Sequence, residues 1–80
     1  MWALRLKSVS RPGRWSYVFI WNGTTVLRHL YPHLRFDTQE KAEAVLNEIK
    51  SAWFEGRIVS KGLSDERINS IEIYRLPPDW

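Results

Sequence analysis

The 80-residue sequence contains no cysteine, which excludes a disulfide scaffold and every thiolate zinc site. Glycine and proline are sparse, four of each, so with its hydrophobic content the chain reads as globular and not disordered. No apolar run approaches the roughly 18 residues that a membrane-spanning helix requires. Residues 1–5 lack the basic and apolar regions of a signal peptide, making the cytosol the expected compartment. Acidic side chains are absent from the first 36 positions, where six Lys and Arg stand alone.

What is present fits one globular domain spanning residues 1–80. The chain is 44% hydrophobic and 26% charged, enough to form a single core. At this length folding buries only about 60% of the unfolded chain's surface, so modest stability is expected. The net charge of +3 conceals a strong asymmetry: residues 37–80 set six basic side chains against nine acidic ones. A one-signed block of this kind attracts polyanions, unless its charge is answered by the acidic half of the same molecule.

The apolar pattern predicts an α+β fold. Residues 2–9 alternate, with Trp2, Leu4 and Leu6 on one face and Arg5 and Lys7 on the other. Pro12-Gly13 marks a turn, and residues 15–21 form a strand of aromatic and β-branched side chains. Asn22-Gly23 predicts a type I′ hairpin into a third strand over residues 24–31, closed by Pro32. Asp37 is the expected N-cap of a helix over residues 38–55, with Glu40 as its reciprocal partner and Phe36 as a hydrophobic staple. Ala42, Val45, Leu46, Ile49, Ala52 and Trp53 recur every three or four positions and form its apolar stripe, with Val18 and Ile20 as expected partners. Gly56 ends this helix. Residues 57–60 are compatible with a short strand, and residues 64–67 with one helical turn or a loop. Residues 70–76 alternate as a last strand, stopped by Pro77-Pro78. The expected architecture is therefore an antiparallel sheet of four to five strands with one main helix packed on one face, in the order β-β-β-α-(β)-β.

Catalytic chemistry finds little support in this pattern. His29 and His33, four apart on a strand, would lie roughly 13 Å from one another, too far to share a metal ion. No serine sits in a glycine-flanked elbow, and the four glycines are scattered rather than gathered into a phosphate-cradling loop. The expectation is a non-enzymatic protein with no cofactor and no metal.

Five tryptophans in 80 residues, interleaved with arginine, point toward binding. Strand residues Trp15, Tyr17, Phe19 and Trp21 share one face under strict alternation, beside Arg5, Lys7 and Arg28. Rings flanked by cations suit nucleic acid, because rings stack on bases while arginines pair with phosphates. On this reading Arg5, Lys7, Arg11, Arg14, Arg28 and Arg35 contact phosphate, and Trp15, Tyr17 or Trp21 stacks. Two other readings fit the same pattern. The aromatic row is the core itself, since a small domain without disulfides needs large side chains; or it anchors a protein interface.

Gly13-Arg14-Trp15, the Asn22-Gly23 hairpin and Phe36-Asp37-Thr38-Gln39-Glu40-Lys41-Ala42 together resemble AP2-type DNA-binding domains, with those of phage integrases the nearest comparison. The likeness spans residues 13–46, and the strand over residues 70–76 lies outside it. It implies a three-stranded sheet entering the DNA major groove, backed by the helix, with Arg5, Lys7, Arg14, Trp15, Tyr17, Arg28 and His29 as contacts. In size and style the chain is also similar to small phage-encoded anti-defence proteins, anti-CRISPR proteins among them. That likeness implies steric blocking of a host protein or ribonucleoprotein complex. The expected partners are thus DNA or RNA, or such a host complex, with no membrane; the chain acts as a monomer or homodimer.

Overall fold

The computed structural model describes residues 1–7, 13–29, 34–58 and 62–79. Three strands come first: β1 (Trp2–Lys7), β2 (Trp15–Trp21) and β3 (Val26–His29). The main helix α1 (Gln39–Phe54) follows, then the short helix α2 (Asp65–Asn69) and the last strand β4 (Glu72–Arg75). All four strands pair antiparallel in the order β3-β2-β1-β4. This is the α+β class expected from the sequence, with helices packed on one face of the sheet.

Alternation along β1 sends Leu4 and Leu6 into the main core, where they meet Ala42, Leu46, Ile49 and Ala52 of α1 and Ile68 of α2. Leu4, Leu6, Val18, Ile49 and Ile68 are the largest fully buried side chains. Val45 and Trp53 flank the same cluster, so the whole apolar stripe of α1 is used. Ile58 and Ile71 seal it on leaving α1 and α2. Phe36 is buried there too, and its backbone exchanges two hydrogen bonds with Trp2, at 2.7 and 2.8 Å.

Several local expectations are corrected. The N-cap of α1 is Thr38, whose Oγ1 accepts from the Lys41 backbone N–H at 3.2 Å; Asp37 instead pairs with the Lys41 ammonium at 2.9 Å. With Thr38 as the cap, the third helical position is Lys41, so Glu40 is not placed for a reciprocal capping box. The helix closes in a Schellman motif: Gly56 has φ +78°, its N–H reaches Trp53 O, and the Arg57 N–H reaches Ala52 O.

Asn22-Gly23 does not make a type I′ turn, because no residue other than glycine has positive φ among the described residues. Asn22 Oδ1 instead accepts from the backbone N–H groups of Thr24 and Thr25, giving a four-residue loop and starting β3 at Val26. Leu30 and Tyr31, expected at the end of the third strand, lie outside the described residues, as do Pro12 and His33. Arg57 and Ile58 are not in a strand, and residues 59–60 are outside the description. Ser64 caps α2 through its Oγ, which accepts from the Arg67 N–H at 3.2 Å.

The most consequential correction lies within β2. Val18 pairs with Arg28, but Ile20 pairs with Leu27, so two steps along β2 match one along β3 and Phe19 is the extra residue of a bulge. Beyond a bulge the two faces exchange roles. Trp21 therefore packs against the helix-side core and its Nε1–H donates to Glu48 Oε2 of α1 at 3.1 Å. Ile20, expected against α1, is 39% exposed on the opposite face.

Candidate functional site

The helices cover one face of the sheet; the other carries the candidate site. Cross-strand partners share a face, so the register defines its membership. Arg5 stands opposite Tyr17 of β2 on one side and Glu72 of β4 on the other, Lys7 opposite Trp15, Ala3 opposite Tyr74, and Tyr17 opposite His29. Arg5, Lys7, Trp15, Tyr17 and His29 are thus brought together as the sequence suggested.

At the centre lies the Arg5 guanidinium, 3.8 Å from the Trp15 ring centroid and 3.9 Å from that of Tyr74. Both rings attract the cation through their quadrupoles. Arg5 Nε and Nη2 also donate to Glu72 Oε1, at 2.7 and 2.6 Å. The Arg5 side chain is 18% exposed and that of Glu72 46%, so the ion pair sits beneath the rim of the aromatic surface. Below it, Ala3, Tyr17 and Leu76 form a second buried cluster, against which Trp15 and Tyr74 pack. Ala3 is fully buried here, and the rings of Tyr17 and Tyr74 meet in a tilted contact with centroids 6.4 Å apart. Phe19 and His29 make a similar contact at 5.5 Å toward β3.

This arrangement changes what each residue offers. Arg5 is committed to Glu72 and two rings, so it braces the platform instead of presenting an unsatisfied charge. Tyr17 is buried, and the aromatic row is partly a small core of its own. Lys7 is exposed at the end of the face where β1 stops, and Arg14, exposed too, immediately precedes Trp15 in the sequence. Two expected members lie on the other face of the sheet. Trp21 is carried to the helix side by the bulge. Arg28 pairs with Val18, which faces the helices, and its Nη1 donates to Gly62 O at 3.3 Å. Arg35 is exposed in the segment leading into α1, and Arg11 lies outside the described residues.

Glu72 and Tyr74 belong to the site although the sequence did not single them out as binding residues. Their alternation placed them on one face; that β4 pairs with β1, and so delivers a carboxylate to Arg5, is a tertiary fact with no local signal. The other tryptophans among the described residues are structural: Trp53 Nε1–H donates to Asp65 Oδ1 at 2.7 Å, tying α1 to α2, while Trp2 lies against the main core. A cleft of about 370 Å³ beside the hairpin is lined by Trp21, Asn22, Gly23, Glu48 and Arg57, but its carboxylate already accepts from the Trp21 indole.

Among the described residues no group of three or more His, Asp or Glu is placed to hold a metal ion, and no helix is long and apolar enough to cross a membrane. Comparison with protein-family models, with curated proteins and with solved structures finds no match.

Proposed function

We propose that the protein is a non-enzymatic binding module whose uncovered sheet face takes nucleic acid. The observation that supports this reading is half-buried Trp15, braced by Arg5, with exposed Lys7 directly opposite it on β1 and exposed Arg14 next to it in the sequence. A ring held by a cation loses little freedom when a base stacks on it, and neighbouring exposed cations contribute phosphate neutralisation and counterion release. Lys7 and Arg14 carry the phosphate contacts, Trp15 the stacking, and Arg5 the positioning of Trp15. The resemblance of residues 13–46 to AP2-type domains agrees with a sheet-borne contact surface. A second reading, steric blocking of a host protein or ribonucleoprotein complex, draws on the same face, where Ile20 is exposed beyond the cations.

The test is binding of fluorescent single-stranded DNA, duplex DNA and RNA by the parent protein and by Lys7→Glu and Arg14→Glu. Loss of binding in both variants, with unchanged circular dichroism, is the expected result. Binding at parental strength in both would remove the sheet face from consideration. Absence of binding by the parent at low salt would favour the protein partner.

A further inference from the structure

Trp15 offers a partner one ring face. The Arg5 guanidinium lies over the other, 3.8 Å from the ring centroid, and over the Tyr74 ring at 3.9 Å. Glu72 holds Arg5 there by accepting from its Nε and Nη2. Trp15 also packs against the buried cluster of Ala3, Tyr17 and Leu76, which leaves the ring half-buried. A ring seated in this way is a platform for one flat partner. It does not stand out from the sheet as do the apolar wedges that pry apart the base steps of a duplex.

Duplex bases present only their edges to the grooves, and freeing a base face requires unpairing and unstacking it at a cost in free energy. A single strand exposes its base faces without that cost, and an aromatic platform serves every base.

Charge on the face points the same way. Lys7 stands directly opposite Trp15, is exposed, and takes part in none of the three ion pairs among the described residues. A phosphate adjoining a base on Trp15 is therefore met by an ammonium. Glu72 lies two strands from Trp15, on β4, with its side chain 46% exposed. Adjacent strands are about 4.8 Å apart, which puts this carboxylate roughly 10 Å across the sheet from β2. A duplex laid from Lys7 toward β4, its backbones bordering a major groove about 12 Å wide, would set its second phosphate row beside Glu72. A single strand passing Lys7 and Trp15 avoids it.

We infer, building on the nucleic-acid reading of this face, that it takes single-stranded nucleic acid in preference to duplex, with one unstacked base on Trp15 and an adjoining phosphate on Lys7. This reverses the preference that the AP2 likeness implies, which is for duplex entered through the major groove.

The experiment is displacement of a fluorescent oligothymidylate from the full chain at low salt. The competitors are unlabelled oligothymidylate and a duplex matched in phosphate concentration. The single strand should compete at least roughly tenfold more effectively, the lower range of what one base–aromatic stack contributes. Trp15→Leu keeps an apolar side chain against the buried cluster and removes the ring; it should lose that advantage and leave duplex competition unchanged. A second measurement needs no variant: at matched occupancy, the single strand should quench the tryptophan fluorescence of the parent and the duplex should not. Equal or better competition by duplex, equal quenching by both, or an advantage undiminished in folded Trp15→Leu would overturn the preference alone. Absence of binding by any nucleic acid would overturn the reading of the face, and the preference with it.

Discussion

Arg5 and Glu72 face one another across β1 and β4, joined at 2.6 Å, and this single carboxylate neutralises the most central cation of the open sheet face. The positive character inferred from the first 36 residues is therefore tempered by an acid from the far end of the chain. Replacing it tests that relationship. Glu72→Gln should tighten nucleic-acid binding and steepen the log–log salt dependence by about 0.7–0.9, the equivalent of one further phosphate contact. The stability cost should stay within ~1 kcal/mol, as for other partly exposed ion pairs. Salt titrations of both proteins with the same oligonucleotide measure this.

The bulge at Phe19 separates two tryptophans that simple alternation places together. Trp21→Phe should lower unfolding stability by roughly 0.5–1.5 kcal/mol, the worth of its hydrogen bond to Glu48, and leave binding unchanged. Trp15→Phe should weaken binding to single strands while costing less stability. Denaturant unfolding and oligonucleotide binding, run on both variants, check this crossover.

Ile49 is fully buried where α1 meets β1. Ile49→Ala should cost roughly 2–5 kcal/mol, since the surrounding side chains refill the space only partly. For a domain this small, such a loss is a large share of the total stability. Chemical denaturation with an unchanged m-value is the check.

The pairing of Asp37 with Lys41 adds a pH dependence of determined sign. The hydrogen bond from Lys41, the largest cause, holds the Asp37 carboxyl below its ordinary value in spite of the opposing effect of desolvation. A folded-state pKa that is depressed means stability present above the unfolded value, about 3.9, and lost as pH falls through the folded one. Asp37→Asn should therefore reduce stability slightly at neutral pH and match the parent once both are in strong acid. Unfolding curves collected from pH 7 downward give the comparison.

How far these features were legible depended on the range of the physics involved. The stripe from Ala42 to Trp53 is a periodic signal along one helix, and every member of it lies in the core or packs against it. Residues 64–67 were legible only as one helical turn or a loop, and the Ser64 cap of α2 emerged with the structure. Asp37 and Thr38 are both competent caps by residue type, and nothing local in the sequence chooses between them. The bulge had no local mark: Phe19 and Ile20 are ordinary strand residues, and the insertion shows only against the spacing of β3. That one residue moved Trp21 from the binding face to the helix side. The pairing of β4 with β1 was likewise invisible, because nothing within residues 70–76 says which edge they join.

The central claim, that Trp15 on the open sheet face stacks on a nucleic acid, has a direct measurement. Tryptophan fluorescence quenching by single-stranded oligonucleotide should be followed at increasing salt for the parent and for Trp15→Phe. Quenching that is saturable, falls with salt and is largely lost in Trp15→Phe is the predicted result, because the other tryptophans among the described residues, Trp2, Trp21 and Trp53, serve the helix layer. Saturable quenching that persists undiminished in Trp15→Phe would contradict the claim, as would tight binding with no quenching at all.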